Sequence, residues 1–398
     1  MANTLLTSTA VTRELLRVLH QKLNFIGTIN RQYDDSFANA GGKIGDSLKI
    51  RLPNKYTVTT GATMAVQDVA ETSVTLQIAT QKHVGMNFTS VDLALSLDDF
   101  SKRIIEPAMA VLAASVEADA YSMYKDVYNL ADFDTVAIAF AHILNGRKRL
   151  NDNLAPMDNN RVAMLSTAHT AGLVDALKGL FHDDTAVTQQ YKEGKMGRTA
   201  GFTFYENTHI NDHTTGTCAG TDSAYDVNGA GQTGATLTVD GGTNTFLKGD
   251  VITIAGCTRV HPETKVSTGA AQQFVITADS GASATSLAIS PAIVVTGAGQ
   301  NVTASPTDDG QITKLGGSTS ALINSSMVYH QDAFAFATAD LVMPKGVDFA
   351  ARENQDGISL RVVRQYDINN DKFPCRVDIL YGYKTLRPEI ACRIHADG

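Results

Sequence analysis

The sequence predicts an α+β protein with a small β-barrel inserted in its second half. Three observations carry this prediction. Apolar residues recur at helical spacing in several segments before residue 180, and strict strand-type alternation recurs towards both ends of the chain. From about Ser223 to Pro306, helix formers give way to Thr, Ser, Gly, Ala and Val, in short alternating runs separated by turns. Such evenly spaced short strands are typical of a small barrel or sandwich.

Length and composition limit the classes of function. With 398 residues, the chain is long enough for two or three domains with cores of their own. Lys and Arg number 33 against 41 Asp and Glu, and the net charge of −8 argues against electrostatic adhesion to nucleic acid or to an anionic membrane. We expect no membrane partner, because no signal peptide and no apolar segment of spanning length is recognisable.

The first predicted element is an amphipathic helix from Thr12 to Ile26, followed by a loose glycine-bearing stretch. Two alternating runs then predict the legs of a hairpin, one at Leu48–Leu52 and one at Val74–Ile78. About twenty residues separate the legs, far more than a usual hairpin loop, which indicates that this loop has a role of its own. We expect a neighbouring copy of the chain to cover this ribbon, because an isolated ribbon is marginal in water.

The strongest helical pattern predicts a spine helix from about Pro107 to Tyr128, with Pro107 near its start. Beyond it we expect a helix at Asp134–Arg149, a buried strand at Arg161–Leu165 and a helix from Ser166 or Thr167 to about Leu180. The candidate strands of the barrel are residues 236–240, 251–255, 273–278 and 286–290. Alternation around Ile358–Val362 and Val377–Tyr381 predicts closing strands.

The order of these parts resembles the major capsid proteins of tailed double-stranded-DNA bacteriophages, in particular the coat proteins of short-tailed phages with an inserted domain. The stretches that carry the resemblance are "EGKMGRTAGFTFYENTHI", "TFLKGDVITIAG" and "RVDILYGYKTLRPEIACRI". They are similar to the strand entry of the family's axial domain, a strand pair of its inserted barrel and its closing strands. One departure is the short, almost uncharged loop "AYDVNGAGQTG", so the contact that a longer charged loop makes between capsomers is not expected here.

The resemblance implies a division of the chain into seven segments of the tailed-phage capsid fold. They are an N-terminal arm with the amphipathic helix (1–40), an extended hairpin arm (41–88), a peripheral domain with the spine helix (89–130), the first part of an axial α+β domain (131–222), the inserted β-barrel (223–306), the return of the axial domain (307–345) and the closing peripheral strands (346–398).

Candidate chemical motifs are few, and we expect no catalytic, cofactor-binding or metal site. Gly229, Gly231 and Gly234 spell G-x-G-x-x-G, but a polar stretch precedes them and an alternating strand follows, so they predict a flexible entry into the barrel and no dinucleotide site. His209 and His213, with Cys218 following, have a spacing that can share a metal on a helix, but the Asn, Asp, Thr and Gly around them predict no helix. The stretch "FHDD" (His182–Asp184) has no matching His and Asp set.

Cysteines and lysines give no reactive site either. Cys218, Cys257, Cys375 and Cys392 have no C-x-x-C spacing and are expected to be small buried residues of a protein made in a reducing cytoplasm. Some capsid proteins crosslink their arms through a lysine, but nothing in the sequence marks Lys49, Lys55 or Lys82 as activated.

The sequence therefore predicts a non-enzymatic structural subunit that assembles with its own copies into an icosahedral shell enclosing phage DNA. Expected partners are a scaffolding protein and a portal, with assembly in the host cytoplasm and a final location in the virion. The helix at Thr12–Ile26 is the candidate for contact with a neighbour or scaffold. The alternative is a β-rich surface-binding module with the barrel as its ligand site, and an enzyme with a small-molecule pocket is a third class.

Overall fold

The computed structural model describes residues 12–17, 19, 23–31, 47–64, 66–68, 71–88, 106–177, 197–210, 212–220, 223–317, 319–355, 358–369 and 372–397. These residues belong to two compact units. The first unit is drawn from Met1–Arg51, Ser73–Tyr121 and Phe334–Leu386, and the second from Leu52–Thr72, Ser122–Ala333 and Arg387–Gly398.

The described elements are mostly strands, with few helices. The strands in chain order are β1 (Ser47–Arg51), β2 (Ser73–Gln77), β3 (Thr80–Phe88), β4 (Leu130–Ala137), β5 (Arg161–Leu165), β6 (Arg198–Thr199), β7 (Phe202–Glu206), β8 (His213–Thr214), β9 (Asp226–Val227), β10 (Gly234–Asp240), β11 (Val251–Val260), β12 (Ser267–Ile276), β13 (Ser286–Ile293), β14 (Ile312–Leu315), β15 (Leu322–Ile323), β16 (Met327–His330), β17 (Phe334–Thr338), β18 (Phe349–Gln355), β19 (Ile358–Arg364), β20 (Phe373–Thr385) and β21 (Ala391–Asp397). The helices are α1 (Phe25–Thr28), α2 (Glu106–Tyr121), α3 (Phe140–Asp152) and α4 (Thr167–Leu177).

The first unit is built on a long antiparallel sheet. Its strand order is β17-β20-β19-β18, and β3 pairs with Phe373–Tyr381 of β20 on the edge opposite β19, the same edge as β17. The sequence places β3 in the arm, but Thr80–Phe88 pairs over its whole length with β20 and is part of this sheet. β17 also belongs here, although the predicted boundary of the axial domain lies after it, at residue 345.

Helix α2 is shorter than the sequence predicts. Its buried face carries the expected stripe, including Met109, Leu112, Val116 and Ala120. The prediction of a continuous helix to Tyr128 is wrong, because the α-helix ends at Tyr121 and the chain tightens into a 3₁₀ turn at Ser122–Asp126.

The N-terminal segment packs on its own chain. Residues 12–17 are helical, but Leu23 and Asn24 interrupt the predicted helix before α1. The backbone N–H groups of Phe25 and Ile26 donate to the buried carboxylate of Glu117 on α2. The apolar residues of the predicted helix, Leu15, Leu16, Leu19, Leu23 and Ile26, are all buried within the chain. These apolar residues are therefore used within the chain, and the expected contact of this segment with a neighbour or scaffold stays a prediction that would fall to its exposed residues, such as Arg13 and Arg17.

The predicted hairpin is confirmed, with Leu48 opposite Leu76 and Ile50 opposite Val74. Its base does not need a neighbour. Ile50 and Leu76 are buried in one apolar cluster with Ala335, Ala337 and Leu380 of the same unit. The idea that a second copy completes the whole ribbon is therefore wrong for its base.

The second unit contains a mixed six-stranded sheet in the order β4-β21-β16-β5-β7-β6, covered by α3. The sequence predicts a helix at Asp134–Arg149, whereas β4 runs to Ala137 and α3 begins at Phe140. The reason is tertiary, because β4 pairs in parallel with β21 from the far end of the chain. β21 therefore lies in this sheet and not among the peripheral closing strands. The predicted strand at Arg161–Leu165 and the start of α4 at Thr167 are confirmed.

The residues between β8 and β15 form a nearly closed, barrel-like sheet in the order β14-β11-β12-β13-β10-β9. The two edges meet through backbone hydrogen bonds from Val227 N to Gly310 O (3.0 Å) and from Ile312 N to Tyr225 O (3.1 Å). Aromatic and aliphatic side chains fill its interior, among them Phe246 and Phe274. Its sixth strand, β14, lies beyond the predicted limit at residue 306.

Candidate assembly surface and barrel joint

An exposed loop connects the legs of the hairpin. We name residues 52–72 the arm loop. A backbone hydrogen bond from Leu52 N to Thr72 O (2.9 Å) closes its base, and none of its described residues lies in a strand. Its large apolar side chains point into solvent: Tyr56 is 58% exposed, Val58 97%, Met64 83% and Val66 77%. Clustered exposed apolar side chains mark surfaces that bind other proteins, so the arm loop is the candidate assembly surface.

A second feature is the contact between the barrel-like sheet and the mixed sheet, which we name the barrel joint. Its apolar part consists of Tyr128, Leu130, Val251, Val275 and Leu315. The side chain of Gln273 on β12 pairs with the backbone of Leu130: its Oε1 accepts from Leu130 N (2.9 Å) and its Nε2 donates to Leu130 O (3.0 Å). Gln273 and Leu130 are both buried. One amide thus acts as a strand partner at the joint.

Buried polar groups fix the same joint at the start of β11. His213 Nε2 lies 3.0 Å from Asp250 Oδ1, and the other oxygen of Asp250 accepts from Gly216 N (2.9 Å) and Leu247 N (2.8 Å). Burial lowers the pKa of His213, although the hydrogen bond with Asp250 opposes this. The Arg393 side chain donates to Gly249 O (2.8 Å).

Further polar pairs hold the other side of the joint. His395 Nδ1 lies 2.7 Å from Asp132 Oδ1, and Asp132 Oδ2 accepts from Gly316 N (2.8 Å) just after β14. Arg259 on β11 reaches Asp152 Oδ2 (3.1 Å) at the end of α3. Contacts on several strands, each with a defined partner, hold the barrel-like sheet in one orientation on the mixed sheet.

The residues weighed as a metal site do not come together as ligands. His213 is engaged by Asp250, and Tyr124 OH lies 3.4 Å from its Nδ1. His209 N donates to the side chain of Asn207. Burial raises the pKa of the Cys218 thiol to about 11. His182–Asp184 lies outside the described residues, and in the described part of the chain no three His, Cys, Asp or Glu residues are close enough to share a metal ion.

The glycine motif forms turns that lead into a strand. Gly229, Gly231 and Gly234 all have positive φ (94°, 79° and 92°), and β10 begins at Gly234, where a dinucleotide site would need a helix. The side chain of Gln232 braces this turn: its Nε2 donates to Asn228 O (2.8 Å), Gly229 O (3.1 Å) and Thr238 O (3.0 Å). The glycines therefore lead into a strand of the barrel-like sheet, as predicted, and the flexibility of this entry stays a prediction.

The cysteines are buried, and of the candidate lysines one is paired and another is exposed. All four cysteines are reduced and buried, as predicted. Lys82 Nζ contacts Asp119 Oδ2 (2.6 Å) and donates to Ser115 Oγ (2.6 Å) on α2, whereas Lys55 lies exposed in the arm loop. Within the part of the chain that the structure describes, no helix has the length and apolar character needed to cross a membrane.

Sequence patterns did not identify the residues that carry the polar contacts. Glu117, Gln273 and Asp250 each bond to groups far along the chain, and no local periodicity marks them. Asp250 alone of these three ends a stretch, Leu247-Lys248-Gly249-Asp250, whose composition is typical of a turn.

Comparison with known protein families gives a match over nearly the whole chain. The profile of the family described as "P22 coat protein - gene protein 5" matches residues 1–393. No curated protein matches the chain significantly.

Solved structures that resemble the chain include several from phages. A structure of Mycobacterium phage Che8 has a TM-score of 0.48 at 12% identity, covering 94% of this chain and 90% of its own. The mature capsid of bacteriophage PhiM1 has a TM-score of 0.43 at 11% identity, covering 88% and 82%. The CUS-3 coat protein I-domain is 30% identical over 23% of this chain and 95% of its own, with a TM-score of 0.19.

The family match therefore decides the assignment, since it spans both units. The chain belongs to the P22 coat protein family, and it is a major capsid protein that forms a phage shell.

Proposed function

We propose that this subunit builds an icosahedral shell around double-stranded DNA, and that the arm loop of each copy binds an adjacent copy. The observation that carries the proposal is the exposure of Tyr56, Val58, Met64 and Val66 on one loop whose base is anchored in the same chain. Family membership supports a second copy of the chain as the binding partner of this surface, because coat proteins assemble into multi-subunit shells.

The two units have separate roles in this proposal. The first unit supplies the peripheral domain, with α2 as its spine and the hairpin as the base of the arm. The second unit supplies the axial domain, where the mixed sheet meets its copies near the capsomer axes. The barrel-like sheet is an inserted element that braces the subunit. The barrel joint supports this role, because its contacts fix the orientation of the barrel-like sheet on the mixed sheet.

The energetics of a shell favour many moderate contacts. Each copy touches several neighbours, so contacts of a few kcal/mol apiece hold a closed network and still allow wrongly placed subunits to dissociate. The net charge of −8 suits a container whose wall does not adsorb its packaged polyanion. A scaffolding protein and a portal direct assembly in the host cytoplasm, and the subunit itself carries out no catalysis.

A pair of loop variants tests the proposal. Val58→Glu/Met64→Glu places two carboxylates on side chains that are almost fully exposed, so the subunit should fold with an unchanged far-ultraviolet circular dichroism spectrum. Its matched control, Val58→Ile/Met64→Leu, keeps the surface apolar. Both proteins and the wild type are incubated with a phage scaffolding protein and analysed by sedimentation velocity and electron microscopy.

We expect closed particles from the wild type and the conservative variant, and only unassembled subunits from the glutamate variant. Normal particles from the glutamate variant would contradict the role of the arm loop. A wild-type protein that stays monomeric under every condition would contradict shell formation by this chain.

A further inference from the structure

The arm loop is braced across its middle by one side chain. Gln67 Oε1 accepts from the backbone N–H of Thr57 (2.9 Å) and from its hydroxyl (3.1 Å), and Gln67 Nε2 donates to Thr57 O (2.5 Å). The two residues are ten positions apart, and both are partly buried in a loop whose other side chains are mostly exposed.

This arrangement replaces a missing strand pair. Backbone pairing of β1 and β2 continues to the bond between Leu52 and Thr72 at the base of the loop. Further out, none of the described residues of the loop lies in a strand. A glutamine amide presents one donor and one acceptor, as a peptide group does, so Gln67 can pair with both backbone groups of Thr57.

Two other glutamines among the described residues pair in the same way with both backbone groups of one residue. Gln273 pairs with both backbone groups of Leu130 at the barrel joint, and Gln232 pairs with both backbone groups of Thr238 in the glycine turn. In both places the amide pairs with a residue of a strand, since Leu130 also pairs with Arg393 of β21 and Thr238 with Ser286 of β13. The bonds of Gln67 therefore match a recurrent structural use of glutamine in this protein.

The brace is adjacent in sequence to exposed apolar residues at both of its ends. Val58 follows Thr57, and Val66 precedes Gln67, so the two ends of the exposed segment are held together where its apolar side chains begin. Holding a loop in its bound shape before contact removes part of the ordering cost of association. This arrangement favours a role for Gln67 in binding over a role in the stability of the unit.

We propose that Gln67 is a positioning residue that keeps the arm loop in the conformation in which it binds a second copy of this chain. The proposal rests on the proposed function, because it needs the arm loop to be an assembly contact. It assigns Gln67 no contact with the neighbour. Gln67 instead sets the fraction of subunits whose arm loop is in the binding conformation. When that fraction decreases, the apparent affinity between subunits decreases in proportion.

The test compares three substitutions in the full-length chain. Gln67→Leu keeps the approximate size and removes all three hydrogen bonds. Gln67→Glu keeps the acceptor oxygen and loses the donor. Thr60→Ala is the matched control, because Thr60 is an exposed residue of the same loop.

The readout is the lowest subunit concentration at which shells form with scaffolding protein, measured by sedimentation, together with the urea midpoint of the isolated subunit. We expect Gln67→Leu to raise the threshold concentration by roughly three- to tenfold, the range that loss of modest hydrogen bonds produces. Gln67→Glu should fall between Gln67→Leu and the wild type, and Thr60→Ala should match the wild type. The urea midpoint should be unchanged in all three, and particles formed above the threshold should have normal size.

The outcomes separate this inference from the proposed function. If Val58→Glu/Met64→Glu abolishes assembly while Gln67→Leu leaves the threshold unchanged, the loop is an assembly surface and the positioning role is wrong. If Gln67→Leu lowers the urea midpoint and the threshold shift follows that loss, Gln67 stabilises the unit and the inference is overturned. If the glutamate variant also assembles normally, the proposed contact itself fails.

Discussion

The substitution Gln273→Leu tests whether one buried amide holds the barrel joint. It removes the acceptor of Leu130 N and the donor to Leu130 O without a large change in size. A buried N–H left without an acceptor costs about 1–3 kcal/mol, and the carbonyl adds less because it has a second lone pair. We therefore expect the free energy of unfolding of the second unit to fall by about 2–4 kcal/mol.

The matched control is Gln232→Leu, the same chemical change at the glycine turn. Gln232 makes more hydrogen bonds than Gln273, but most of them are exposed, and water can replace them. We expect this substitution to cost less than about 1 kcal/mol. Because the chain has no tryptophan, urea unfolding is followed by tyrosine fluorescence and circular dichroism. An equal or larger loss in Gln232→Leu would refute the argument that burial, and not the number of bonds, decides the cost.

Two further predictions concern buried polar groups. Burial lowers the pKa of His169 and His213 below the usual 6.5. As the pH falls, the unfolded chain therefore binds protons at these residues before the folded chain does, and the urea midpoint should decrease between pH 7.5 and pH 5. A constant or rising midpoint would show that these residues do not control acid stability. Glu117→Leu removes the acceptor of the backbone N–H groups of Phe25 and Ile26. It should lower the free energy of unfolding of the first unit by about 2 kcal/mol and speed tryptic cleavage in the N-terminal segment. An unchanged cleavage rate would mean that Glu117 does not hold this segment.

Local patterns in the sequence predicted the elements whose cause is local. The stripe on α2 and the two legs of the hairpin, β1 and β2, follow from apolar periodicity alone, and both are confirmed. The alternating strands at residues 236–240 and 286–290 are confirmed for the same reason. These segments present one apolar face, and that face determines which side is buried.

The errors arise where a distant part of the chain overrides the local pattern. The sequence predicts a helix from Asp134, but β4 continues to Ala137 because it pairs with β21. The predicted N-terminal helix is interrupted at Leu23 and Asn24, just before Phe25, which Glu117 and Tyr121 hold on α2. Such choices depend on contacts between residues far apart in the sequence, which periodicity does not report.

The sequence indicated the position of the candidate assembly surface in the chain, but not the contacts that shape it. The twenty residues between the hairpin legs were long enough to indicate a role. Which part of the ribbon stays exposed depends on the packing of Ile50 and Leu76 on the sheet, and the brace at Gln67 depends on the path of the loop. Neither follows from residue type or spacing.

The central claim is that the arm loop of one copy lies on another. A cryo-electron microscopy reconstruction of shells assembled from the wild-type protein tests it most directly. The account predicts density for Val58 and Met64 against the surface of an adjacent subunit, with the hairpin base still packed on its own sheet. A loop that folds entirely onto its own subunit, with no density joining it to a neighbour, would contradict it.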